Sequence, residues 1–318
     1  MSTDGQVTMA EAAGQTAAAT GTSREVAAAA ARARLKGIGL MCAALACFAC
    51  LDTLAKWLGT MMDPMQVVWT RYCSALLMVL VIFNPLGNPS VLVTRRPWIQ
   101  AIRSALLFGS TAFNFIALQY LQLDQTVSIM FATPFIVAIL SGPFLGEWIG
   151  PRRWAAVIVG FLGVLVVTRP WAGTMHWAML LTFAGACVYA LYNLLTRMLA
   201  GHDSAATTSI YSVAFGALVA TILVPMVWIT PTSPGVIVGM VAIGALGAFG
   251  HWLLIVAHGY APAGILAPFI YTQIVWMTAL GWLVFAQVPA ANTLAGAAIV
   301  IASGLYLLYR ERVVGRQA

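Results

Sequence analysis

Ten apolar stretches, each long enough to cross a lipid bilayer, take up nearly the whole chain between Gly37 and Tyr309. A helix rises about 1.5 Å per residue, so roughly 20 apolar residues cover the hydrocarbon layer. Inside that layer every backbone N–H and C=O must find its partner within the protein, which leaves only helices and closed barrels. The runs are continuous rather than alternating with a period of two, and this selects helices. With 61% hydrophobic and 8% charged residues, the chain carries more apolar surface than a soluble core absorbs.

The spans are expected at about 37–59, 65–83, 98–120, 124–145, 151–168, 175–199, 205–229, 234–258, 262–286 and 290–309. Asp63-Pro64, Asn84-Pro85, Gly150-Pro151, Arg169-Pro170, Thr230-Pro231, Pro262 and Pro289 fall between them. Connections are short, so there is no room for a soluble catalytic domain. The tail, residues 1–36, has no apolar segment of the kind a cleavable signal needs. Thr22 followed by Glu25 reads either as a capping box opening a basic helix through Arg32, Arg34 and Lys36, or as part of a disordered extension.

Counting from a cytoplasmic N-terminus, twelve Lys and Arg residues, among them Arg95, Arg96, Arg152 and Arg153, fall on one face and only Arg169 on the other. Cytoplasmic loops retain positive charge, so both termini are expected inside. The formal charge of +7 is mostly this topology signal, with weak attraction for anionic lipid and none implied for nucleic acid. All five cysteines lie within spans, and the Cys47/Cys50 pair reads as small packing residues rather than a redox or metal site.

A shift of 140 or 141 residues lays the second half of the chain on the first. Phe48, Asp52 and Lys56 fall opposite Tyr189, Asn193 and Arg197; Ala117 and Tyr120 opposite Ala257 and Tyr260; Glu147 opposite Gln287. Five spans is an odd number, so the second copy enters the bilayer upside down. The fold class expected is therefore an all-α membrane protein of ten transmembrane helices in a 5+5 inverted-topology repeat. The first repeat is placed at 37–173 and the second at 174–309, with a C-terminal tail at 310–318. Such repeats build carriers whose site lies between the halves.

Five-plus-five inverted spans of this size, with Asp52-x-x-x-Lys56, Pro64, Arg71, Phe131-Ala-Thr-Pro134-Phe and Gly146-Glu147 leading to Gly160 and Gly163, resemble the EamA-type carriers of the drug/metabolite transporter superfamily. The stretch from Arg95-Arg96-Pro97-Trp98 to Arg153-Trp154 is similar to bacterial riboflavin and S-adenosylmethionine uptake carriers. Where the family repeats Gly-Glu in its second half, this chain has Ala286-Gln287. The resemblance implies secondary transport of a small organic metabolite across a bacterial inner membrane, without cofactor, by a monomer or homodimer. Uptake of a heterocyclic, vitamin- or nucleoside-like solute leads; export of amino acids or toxic metabolites follows. A receptor or assembly factor leaves the repeat unexplained, and no GxSxG, HExxH or phosphate-loop pattern suggests an enzyme or ATP coupling.

Asp52 and Lys56, spaced i and i+4, are expected to pair on one helix face. With Arg197, Lys56 would flank the path and draw in an anionic or zwitterionic solute, and Asp52 would hold a coupling proton or sodium ion. Arg71 and Arg103 lie a turn or two from span ends, within reach of the interface by snorkelling. Arg103, Leu107, Ser110, Asn114 and Leu118 share one face of span 3, and Asn114 is the residue expected to meet substrate. Spans 4 and 9 carry Pro134 and Pro268, whose bends would put Phe131, Thr133, Tyr271 and Gln273 on a cavity wall. Tyr189, Tyr192 and Asn193 cluster on span 6. On span 8, His251 is a substrate candidate, whereas its seven-residue spacing from His258 is wrong for a metal pair. Trp57, Trp98, Trp148, Trp154, Trp171 and Trp177 read as interface anchors.

Overall fold

The computed structural model describes residues 4–146, 148, 150–173, 175–199 and 202–314, with side chains from 28 to 310 except those of 263 and 264. Within these limits the chain is helical, without strands, and ten of its segments are long and apolar enough to span a membrane. It is a multi-pass membrane protein built as a 5+5 inverted repeat. Large side chains such as Leu77 and Val238 stand two-thirds exposed on the outside of the bundle, where only lipid makes that exposure favourable.

The first half comprises α1 (Asp4–Leu58), α2 (Pro64–Phe83), α3 (Pro97–Leu118), the broken pair α4 (Leu123–Met130) and α5 (Thr133–Leu145), and α6 (Pro151–Thr168). The second comprises α7 (Trp177–Leu199), α8 (Ala205–Leu223), α9 (Pro234–Tyr260), the broken pair α10 (Ala263–Leu266) and α11 (Gln273–Phe285), and α12 (Ala291–Val314). Helix α1 is already helical at Asp4, so no N-terminus opens at Thr22; the side chains of Thr22 and Glu25 lie outside the described ones, as does Glu147. Proline sits at the first turn of α2, α3, α6 and α9, where its missing N–H costs nothing. Asp63 caps α2 by accepting the Met65 N–H at 2.8 Å.

The halves interlock rather than sit side by side. Helix α1 packs on α9 as α7 packs on α3, while α2 meets α8 and α6 meets α12 across a pseudo-two-fold axis. Residues related by the 140-residue shift therefore make matching contacts. The Lys36 ammonium lies 4.3 Å from the Tyr260 ring centre, and the symmetric His176 ring stacks on Tyr120 at 5.3 Å. Phe131 and Tyr271, each the other's counterpart, touch edge to face at 5.0 Å, which puts the axis between them. Glycine allows the closest approaches: a Cβ on Gly296 would lie 2.6 Å from the Gly163 carbonyl, and one on Gly250 would lie 2.8 Å from the Phe48 ring.

The two broken spans end alike. Gly146 closes α5 at φ 74°, and Ala286 closes α11 at φ 54°. Only glycine occupies this left-handed region without steric cost. Ala286→Gly is expected to raise stability by about 1 kcal/mol, measured as a higher melting temperature in detergent; an unchanged or lower one would show that Ala286 is unstrained.

Candidate functional site

A cavity of about 790 Å³ opens between the halves around the Phe131–Tyr271 contact. Its wall takes Phe48 and Asp52 from α1, Arg71 from α2, Ser110, Thr111 and Asn114 from α3, Tyr189, Tyr192 and Asn193 from α7, and His251 from α9. The two breaks complete it, with Phe131, Thr133 and Pro134 on one side and Tyr271 and Gln273 on the other. Span 4 is interrupted at Phe131 and Ala132, and span 9 unwinds into a 3-10 turn over Ala267–Thr272, so both proline-bearing spans bend where sequence placed the bend. Gly304 on α12 makes room for the Tyr271 ring, since a Cβ there would collide with the Tyr271 hydroxyl.

Of the residues singled out from sequence, Asp52, Asn114, Phe131, Thr133, Tyr189, Asn193, His251, Tyr271 and Gln273 all line this cavity. Asn114 Nδ2 donates to Asp52 Oδ1 at 3.3 Å. Tyr189 and Tyr192 stack at 5.4 Å, and His251 meets Phe48 edge-on at 4.9 Å. Asn193 turns back to donate to the Tyr189 carbonyl at 2.8 Å. Thr133 is buried with no partner for its hydroxyl.

Lys56 is elsewhere. Its ammonium donates to the carbonyls of Leu118 at 2.5 Å and Leu121 at 2.6 Å, closing the end of α3, and does not pair with Asp52. Those carbonyls have no helical N–H to accept, so the lysine satisfies them and its i, i+4 neighbour is left to the cavity. Lys56 thus does not line the cavity with the other residues singled out from sequence, and its contacts tie α1 to the end of α3. Arg197, its counterpart, is exposed at the end of α7.

Neither Arg71 nor Arg103 snorkels. Arg71 lines the cavity and donates Nη1 to Thr111 Oγ1 at 3.1 Å. Arg103, only 4% exposed, donates to Thr196 Oγ1 and Ser212 Oγ at 2.6 Å and to Tyr192 Oη at 2.7 Å, with its guanidinium 4.4 Å from the Tyr192 ring centre. One side chain thus ties α3 to α7 and α8, between the cavity and the face that carries both chain termini. Asp124, at the first turn of α4, is a buried carboxylate that the sequence reading overlooked; an acid opening a helix was the available signal. Trp57 is half-buried, with its ring against Gly239 of α9.

Beyond Arg103, on the same face, Asp203 in the α7–α8 loop accepts from the Thr94 hydroxyl, from Arg95 N at 2.9 Å and from Gln100 Nε2 at 2.9 Å, stapling the two halves. Partial burial pushes its carboxyl up, but these hydrogen bonds and the nearby His202 outweigh it and hold the group below its usual 3.8. A depressed acid stabilises the fold above its unfolded value, and that contribution is lost as pH falls through the folded one.

The model of the EamA-like transporter family matches residues 35–169 and again 176–310. The chain is 27% identical to the riboflavin transporter of Vibrio cholerae, over 89% of this chain and 96% of the relative. It is 28% identical to the S-adenosylmethionine uptake transporter of Rickettsia bellii, over 87% and 94%, and 25% identical to the pseudopaline exporter of Pseudomonas aeruginosa, over 85% and 95%. A solved structure described only as a crystal structure of protein shares the fold, with a TM-score of 0.60 and 18% identity over 89% of this chain and 99% of its own.

Two substitutions separate structural ties from cavity wall. Lys56→Met is expected to cost roughly 2 kcal/mol of stability, because two carbonyls lose a charged donor, while ligand affinity of the folded protein stays unchanged; weaker binding at native stability would return Lys56 to the site. Asp203→Asn is expected to flatten the fall of melting temperature with acidification below about pH 4; an acid profile identical to that of the parent protein would remove Asp203 from the staple.

Proposed function

This chain belongs to the EamA-like transporter family, and on that premise we propose that it is a secondary active carrier moving a small organic metabolite by alternating access. The observation that carries the reading is the 790 Å³ cavity on the pseudo-two-fold axis, walled by Phe48, Phe131, Tyr189, Tyr192 and Tyr271. A wall rich in rings favours planar, heterocyclic solutes through stacking. Relatives named for riboflavin and S-adenosylmethionine transport fit that chemistry and support uptake. The relative named as a pseudopaline exporter supports the second reading, export.

In this reading the halves rock about the axis, and the Arg103 cluster with the Asp203 staple is the closed gate on the termini-bearing face. Opening there separates α3 from α7 and α8. Asp52, inside the cavity, is the site for a coupling proton or sodium ion. The protein sits in a bacterial inner membrane, with its basic loops and both termini in the cytoplasm, the N-terminal segment 1–36 among them.

Counterflow into proteoliposomes preloaded with unlabelled solute tests the carrier reading. Labelled riboflavin or S-adenosylmethionine should accumulate transiently against its gradient; accumulation of neither, with protein shown to be folded and inserted, contradicts the proposed solute class. Asp52→Asn should leave exchange running while abolishing the response of net uptake to an imposed pH or sodium gradient, and a variant with both properties unaltered excludes Asp52 from coupling.

A further inference from the structure

Five acidic or basic side chains of the described spans are held inside the bundle: Asp52, Lys56, Arg71, Arg103 and Asp124. Lys56 and Asp124 belong to the end where α3 turns into α4 and do not line the cavity. Around the cavity this leaves one carboxylate and two guanidinium groups. The Arg103 field reaches Tyr189 and His251 on the wall, and the Arg71 field reaches Asp52 as well as both of those. The excess is one positive charge with Asp52 ionised and two with Asp52 protonated. In a low-dielectric hollow either excess is costly, and a solute that brings negative charge removes it.

Arg71 is built to receive that charge. It does not bond Asp52 directly, acting on it only through space, while Asp52 takes its hydrogen bond from Asn114. Its Nη1 is held by Thr111, the Tyr72 and Phe115 ring centres lie 5.2 and 5.8 Å away, and its buried Nε has no acceptor. A guanidinium held by Thr111 at one nitrogen, with its Nε–H unmet, can receive an oxygen of a carboxylate or phosphate. The Thr133 hydroxyl, 8% exposed and also without a partner, is a second unmet group on the same wall. By contrast, Arg103 has its donors occupied by Thr196, Ser212 and Tyr192.

We propose that Arg71 is the receptor for an oxyanion carried by the solute, so that the substrate class is a planar ring bearing a carboxylate or phosphate, with the ring against Phe131, Tyr189 and Tyr271. This rests on the carrier reading above and narrows it from planar metabolites in general to acidic ones.

The test uses two flavins that share a ring and differ in charge, riboflavin and 10-carboxymethylflavin, titrated into the purified full-length protein in nanodiscs and followed by quenching of flavin fluorescence. The acidic flavin should bind about tenfold more tightly, as one charge-assisted hydrogen-bonded pair provides. Arg71→Gln should reduce that preference, read as the ratio of the two affinities in the variant, to within about twofold, and Arg71→Lys should retain part of it. Equal affinity of the unaltered protein for the two flavins, or a preference that survives Arg71→Gln, overturns the proposal and leaves the carrier reading standing. Should Arg71→Gln fail to fold, Arg71→Lys decides: partial preference supports the receptor, and none overturns it. If neither flavin binds the unaltered protein, the planar-solute reading falls and takes this proposal with it.

Discussion

Nothing in the hydrocarbon layer other than protein can satisfy a polar group, and this governs each feature of the structure in turn. It makes the spans helical, and it makes any break in a helix or any buried charge answerable to a neighbour. The breaks at Phe131–Ala132 and at Ala267–Thr272 lie beside the cavity, where irregular backbone is tolerated. The carbonyls left free at the end of α3 are met by Lys56, and the guanidinium of Arg103 is met by hydroxyls from two other helices. Interior polarity is therefore organised into a few clusters, at the hollow and towards the helix ends around it.

The inverted repeat supplies the frame, but the two copies differ in chemistry. Asp52 has Asn193 as its counterpart, and Arg71 and Arg103 have no charged counterpart in the second half. The first half thus contributes charge to the cavity, whereas the second contributes Tyr189, Tyr192, His251 and Tyr271. On the proposed carrier reading, symmetry of backbone permits two related conformations of the whole, and asymmetry of side chains lets one solute and one coupling site serve both. The close glycine contacts between α9 and α1 and between α6 and α12 bring the backbones of the two halves close together.

Much of this was legible in the sequence, for reasons specific to particular residues. Spans, repeat and breaks follow from hydropathy, the 140-residue shift and the prolines, none of which depends on tertiary detail. Phe131 and Tyr271 were identifiable because each lies beside the proline of its span and each is the other's repeat partner. What the sequence did not reveal was the partner of each long cation. Lys56 lies one turn from Asp52, but it reaches 62 residues along the chain to the Leu118 carbonyl. Arg103 looked able to snorkel because its depth was readable, whereas Thr196, Tyr192 and Ser212, its hydroxyl partners, come from helices about ninety or more residues away. Local spacing constrains which face a side chain leaves from; only packing decides where a flexible one ends.

The central claim is that the hollow between the inverted halves is the path of the solute, exposed to each side of the membrane in turn. Replacing the five native cysteines, introducing one at Asn193 on the cavity wall, and measuring its modification by a membrane-impermeant maleimide applied from one face or the other tests this most directly. The account predicts modification from both faces, with access from the termini-bearing face increased when Arg103 is replaced by leucine. Modification from one face only, indifferent to Arg103, or from neither, would contradict it.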